Sequence, residues 1–341
     1  MSQISAKKRF LAVMNNEKPD RPPVICPGGM MNAAIVEAIQ NSGTSLPEAH
    51  RDPKLMAQLA RAVQLGTGFE NFGIPFCMTV EAEVLGSQID FGSLTCEPKI
   101  AQEKYGSSAE IDPADIVTLL GKGRIGVVAE AARILAKEYP SIPILGSLTG
   151  PMSLAASIIN PLIFLKDLRK NPALAHGVLD YVTKLLIGFS EILAESGVTA
   201  ISIADPTATG EILGPAMFKE YEVPHLQKLI AEIHRLGLPV ILHICGDLSA
   251  VKPLLGEIGA DVISVDAVMS LKKLKEEFPI LKTMGNLSTF LLDSGPAARI
   301  QQQTGRLMQE EVDIIAPACG LSTSTPLENI RAFTAVVTRT S

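Results

Sequence analysis

Residues 236–247 read LGLPVILHICGD: a helix-ending glycine, a proline, and an apolar run that stops at His243, Cys245 and Gly246. Such a near-continuous apolar run suits a parallel strand covered on both faces. The same pattern recurs along the chain. Candidate strands lie at PPVICP (22–27), FGIPFCM (72–78), IPILGSL (142–148), AISIAD (200–205), PVILHIC (239–245), DVISVD (261–266), LKTMGN (281–286) and DIIAPAC (313–319). Between them, 51–65, 123–138, 171–196, 216–236, 247–258 and 297–310 carry apolar residues three and four apart, the spacing of an amphipathic helix. HRLGLP and LAESGV place a glycine just past a helix end. Eight βα units predict an α/β fold, a single (β/α)8 TIM barrel over residues 1–341, rather than an open doubly wound sheet. A helix over 4–15 precedes the barrel. Residues 85–121 break the rhythm and are expected to form an inserted hairpin and loops after the second strand, covering one end.

Composition narrows the classes. The chain has 341 residues, 47% hydrophobic and 19% charged, with a mean hydropathy of +0.26. No apolar run approaches the roughly 20 residues that span a bilayer, and the apolar stretch near the N-terminus is too short for a secretory leader. A cytoplasmic protein is expected, with no membrane partner. The formal net charge of −6 and the absence of a basic stripe argue against nucleic acid. Cys26, Cys77, Cys96, Cys245 and Cys319 are odd in number and widely spaced, which disfavours a disulfide framework and leaves metal binding or catalysis open.

Residues two apart on a strand point to one face, so His243 and Cys245 project together at the carboxyl end of their strand, where (β/α)8 proteins build their sites. Cys319 holds the equivalent place on the last run. Two thiolates and an imidazole form a soft tetrahedral zinc set with one position open; the competing reading is three unconnected core residues. Asp266 ends VISVD and is either a weak fourth ligand or a helix cap. Glu81, with Glu83, lies beyond the second strand and is a site residue or part of a solvated helix face. Asp205, in IADPTATGE, contacts substrate or makes a turn. Asn286 binds substrate or caps a helix. His50, His176, His225 and His234 fall in or beside helical segments and read as structural or exposed.

Several stretches together resemble the uroporphyrinogen decarboxylase superfamily: KKRFLAVMNNEKPDRPPV (7–24), PFCMTVEAEVLGSQIDFG (75–92), GSLTGPMSLAASI (146–158), VILHICGD (240–247), ADVISVD (260–266), TMGNLSTFLLDSG (283–295) and IIAPACGLSTSTPLENIRAF (314–333). His-x-Cys followed by a distant Cys-Gly resembles the zinc-dependent methylcobamide:coenzyme M methyltransferase branch. The decarboxylases carry an arginine-rich segment near the first strand, where this chain reads ICPGGMMNAAI (25–35) without an arginine.

The resemblance implies one Zn2+ held by His243, Cys245 and Cys319, with Asp266 near the fourth position. It implies transfer of a methyl group from a methylated corrinoid to a zinc-activated thiol such as coenzyme M. The chain lacks the D-x-H-x-x-G signature of a cobalamin module, so the corrinoid is expected on a separate corrinoid protein docking over the barrel mouth. Gly28, Gly29, Met30, Met31, Met78 and Met152 would lie near that mouth, as an adaptable surface or as core filling. The alternatives are the opposite half-reaction on a methyl ether or methylamine, a folate acceptor, uroporphyrinogen decarboxylation, and a non-catalytic tetrapyrrole binder.

Overall fold

The computed structural model describes residues 4–27 and 35–339. Seven parallel strands form one curled sheet in the order β1 (Phe72–Ile74), β4 (Ile144–Thr149), β5 (Ala200–Ala204), β6 (Val240–Ile244), β7 (Val262–Val265), β8 (Lys282–Leu287) and β9 (Ile314–Pro317). β2 (Gln88–Asp90) and β3 (Lys99–Gln102) pair separately as an antiparallel hairpin. This is the expected TIM-barrel class of fold, and each of the seven lies within or overlaps an apolar run of the sequence.

The first run, 22–27, makes a single parallel bridge, Val24 with Ile315. Pro22 and Pro23 have no N–H to give a ladder. Side chains replace the missing strand bonds: Glu70 accepts from Val24 N, and Asn71 both accepts from Cys26 N and donates to Cys26 O. Ile315 and Glu70 bond this segment from its two sides, so it fills the gap between β9 and β1.

Alternation along the strands sorts the barrel interior. Leu145, Ala200, Ile241, Val262, Met284 and Ile314 pack inside with Phe10, Val13 and Met14 of the Ala6–Met14 helix, which plugs the amino-terminal end. Two residues further along these strands come Ser147, Ser202, His243, Ser264 and Asn286, a more polar layer toward the mouth. Below the plug, Arg9 pairs with Asp20 and Glu70, and Arg21 with Glu70.

One helical expectation is corrected and another is met with a π-turn inside it. The 247–258 segment is helical only at Lys252–Leu255: Gly246 sits at φ 75° and Gly259 at φ 88°, and Asp247 turns the chain by accepting from Ser249 N. The 216–236 segment is helical throughout 216–235: it takes up the end of Gly210–Met217, which is kinked at Gly214 (φ 64°), then a π-turn over Phe218–Glu222 and a helix over Val223–Arg235. Pro224 has no N–H to offer the carbonyl four residues earlier, and the wider turn absorbs the mismatch.

Inside the 85–121 stretch, the hairpin leans on the mouth. Phe91 lies between the Arg51 and Arg124 guanidinium groups, at 3.7 and 4.8 Å, and Thr323 donates to Thr95 O. No helix among the described residues is long and apolar enough to cross a membrane.

Candidate metal centre

His243 and Ile241 share a face of β6, and because Ile241 packs inside the barrel, His243 points inward above it. Cys245 follows where the strand ends, and Cys319 enters just beyond β9. His243 Nε2 lies 3.1 Å from Cys245 Sγ, and Cys245 Sγ lies 3.2 Å from Cys319 Sγ. Among the described residues this is the one group of three metal-ligating side chains whose donor atoms all fall within 4.8 Å of one another. His243 is buried and both cysteines are half-buried.

The other ring nitrogen, Nδ1, meets Ser264 Oγ at 3.0 Å. Ser264 is fully buried and directly registered with His243 across β6 and β7. With Nδ1–H donating to that hydroxyl, Nε2 keeps its lone pair toward the sulfurs. Cys319 is pushed down to about 4, chiefly because the Cys245 thiol donates to it, with His243 adding to the effect against burial. Cys245 is pushed up, chiefly by sharing that proton and by burial. The shared hydrogen bond thus pulls the two sulfurs in opposite directions, favouring the ionised form at Cys319 and the protonated form at Cys245.

These residues fit zinc. Tetrahedral Zn–S bonds of about 2.3 Å separate two sulfurs by roughly 3.8 Å, so the 3.2 Å pair needs to open by only about half an ångström. Two thiolates and a neutral imidazole match the charge of the ion and leave one coordination position open.

Asp266 stands outside the three-residue group; its carboxylate accepts from Val268 N at 3.3 Å, a turn contact, while its charge still bears on Cys245. Asn286 donates to Asp266 O and Met269 O, tying down the loop after β7. Asp205 is fully buried and accepts from Met152 N, Ser153 N and Ser153 Oγ at 2.9, 2.8 and 2.5 Å, which caps the Pro151–Ile158 helix. Glu81 is buried as well, not on a solvated face: it accepts from Thr149 N and Oγ1, and burial pushes it up to about 7. Glu83 pairs with Arg124, whose guanidinium also donates to Cys77 Sγ and Thr79 Oγ1.

Met152 is buried in the core. Met78 and Cys319 share a cavity of about 680 Å³ with Thr95–Lys99 of the hairpin loop, Phe290 and Leu321. Phe290 also edges a groove of about 690 Å³ that contains Asn286, Val268 and Arg299. Gly28, Gly29, Met30 and Met31 lie outside the described residues. Among the histidines, His50 and His225 are buried, His234 bonds Asp261, and His176 stacks on Tyr221.

Sequence reasoning missed Ser264, Arg124 and Glu222. For Ser264 a signal existed, since it shares the inward parity of Val262, but its pairing with His243 depends on strand stagger.

The uroporphyrinogen decarboxylase (URO-D) family model matches residues 5–340. The chain is 32% identical to the methylcobamide:CoM methyltransferase MtaA of Methanosarcina barkeri, covering 98% of each. It is 29% identical to the methylcobamide:CoM methyltransferase MtbA of Methanosarcina acetivorans, covering 97% of each. A solved methyltransferase structure from Methanosarcina mazei superposes with a TM-score of 0.92 at 31% identity over 99% of both chains.

Proposed function

Because the chain belongs to the uroporphyrinogen decarboxylase (URO-D) family, and the two Methanosarcina relatives described above, matched over nearly their full length, are methylcobamide:CoM methyltransferases, we propose that it is a zinc-dependent methyltransferase. It moves a methyl group from a methylated corrinoid, carried by a separate protein, to a small thiol, with coenzyme M the acceptor named in those relatives. The observation that carries this reading is the convergence of His243, Cys245 and Cys319 at the barrel mouth.

A bound zinc ion supplies Lewis acidity that makes a thiol ionise near neutral pH. The chain's own residues do the rest. Ser264 fixes the His243 ring, and Cys245 and Cys319 present sulfur to the open mouth. Met78, Phe290 and Leu321 line the approach beside Cys319 with apolar surface, limiting water around a reacting sulfur. In balance, the acceptor's S–H proton is released, sulfur gains the methyl group, and the electron pair of the cobalt–carbon bond stays on cobalt as Co(I).

The test is metal analysis combined with a methylcobalamin assay across a panel of thiols. About one zinc per chain, lost in Cys245→Ala and Cys319→Ala, with thiol-dependent spectral loss of methylcobalamin, is expected. Wild-type protein without zinc, or turnover unaffected by either substitution, would overturn the reading.

A further inference from the structure

Glu222 ends the π-turn Phe218–Glu222 and enters the Val223–Arg235 helix. Its side chain is 0% exposed, and among the described residues neither carboxyl oxygen receives a hydrogen bond from any N–H or O–H. The polar group it interacts with is the carboxyl of Asp205, itself 0% exposed. An ionised carboxylate in that position would lack both solvent and donors and would face a second negative charge, an arrangement proteins avoid by keeping a proton. Asp205 is the better-served partner, with the three donors from Met152 and Ser153.

We propose that Glu222 is a positioning residue: un-ionised, it donates its carboxyl proton to Asp205 and locks together the ends of β5 and the Pro151–Ile158 helix beside the His243 strand. The connections run in series. Asp205 N donates to His243 O, and Gly150 N donates to Ala204 O. Ser153 Oγ, held by Asp205, accepts from Thr207 N at 2.9 Å, fixing the loop after β5. There is no slack at the junction, since a Cβ on Gly150 would come 2.2 Å from Asp205 Oδ2. Burial and the Asp205 charge raise Glu222 well above an ordinary carboxyl, in keeping with that proton. The lock also leaves one negative charge rather than two in the pair whose Asp205 charge bears on Cys245.

The inference draws on the proposed methyl transfer only for its rate measurement; infrared spectroscopy tests it independently. The wild-type minus Glu222→Gln difference spectrum of the purified zinc-loaded protein at pH 7 is expected to show the carbonyl band of a protonated carboxylic acid. A difference spectrum with only a carboxylate band overturns the proposal. In the methylcobalamin assay, Glu222→Gln, which can still donate an N–H to Asp205, is expected to keep kcat. Glu222→Leu fills the volume without a donor and is expected to lower kcat roughly tenfold or more, with the thiol KM little changed. Equal impairment of both variants, or wild-type kcat in Glu222→Leu, overturns the positioning role. Should wild-type protein transfer no methyl group at all, the proposed function fails while the infrared result still decides where the proton resides.

Discussion

Replacing Ser264 with alanine removes one oxygen atom, and the consequence expected is a loss of metal affinity larger than the loss of fold stability. Ser264 Oγ lies 3.0 Å from His243 Nδ1, with the two residues 0% and 2% exposed, so no water reaches the gap to substitute. Deleting one partner of a buried hydrogen bond costs about 1–3 kcal/mol. Here that cost falls on the state in which Nδ1 carries the proton and Nε2 is free to ligate. The imidazole loses both its fixed orientation and part of its basicity. A loss of about 1.4 kcal/mol is tenfold in a binding constant, so zinc should bind roughly 10–100-fold more weakly, the range typical when a ligand's hydrogen-bond partner is removed. Competition with a chromophoric chelator at pH 7 measures the zinc constant, and urea unfolding of the metal-free protein measures the fold. Zinc affinity within twofold of wild type in Ser264→Ala would refute the assignment of Nε2 as the ligating nitrogen, as would a drop in affinity matched by equal destabilisation of the metal-free chain.

Glu81→Gln should stabilise the protein at alkaline pH and leave it unchanged near pH 4. The folded Glu81 is raised from 4.5 to about 7, so the folded state binds the proton more tightly and wild-type stability falls as pH rises from 4.5 through 7. The full difference is about 3 kcal/mol above that window, and urea midpoints for both proteins at pH 4.5 and 8.5 check it; a gap that is the same at both pH values contradicts it. Gly150→Ala has an acceptable backbone, φ −68°, but its methyl group would meet Asp205 at 2.2–2.5 Å. A loss at or above the usual 1–3 kcal/mol of overpacking is expected, and an unaltered urea midpoint would mean that the Asp205 junction yields easily.

The barrel was legible because its strands are apolar on both faces and each ends in a turn residue or a polar side chain. The same regularity exposed His243 and Cys245, since parity on a strand needs no tertiary knowledge. Cys319 was accessible by the same logic, as the residue that closes the last apolar run. The first run misled in one respect: Val24 and Ile25 have strand-like composition, but two prolines beside them leave too few N–H groups, and Glu70 and Asn71 supply the bonds instead. The carboxylates were the least legible. Glu81 in VEAEV reads as an ordinary polar helix position, and only the packing of the Pro151–Ile158 helix against that turn places Thr149 over it and removes water.

Glu222 makes the limit sharper. In the sequence it stands in FKEYEVPHL, beside another glutamate that is exposed, Glu220. A regular helix through Pro224 would have rotated the two glutamates by a fixed angle, and apolar periodicity assigns neither to the interior. The π-turn adds a residue to the local repeat and turns Glu222 inward toward Asp205, a change of facing that follows from a missing N–H rather than from hydrophobic pattern. The metal-ligand candidates and Asp205 were therefore readable because they stand at the ends of apolar strands, whereas Glu222, the other half of the acid pair, was hidden because its facing depends on a break in the helix's period.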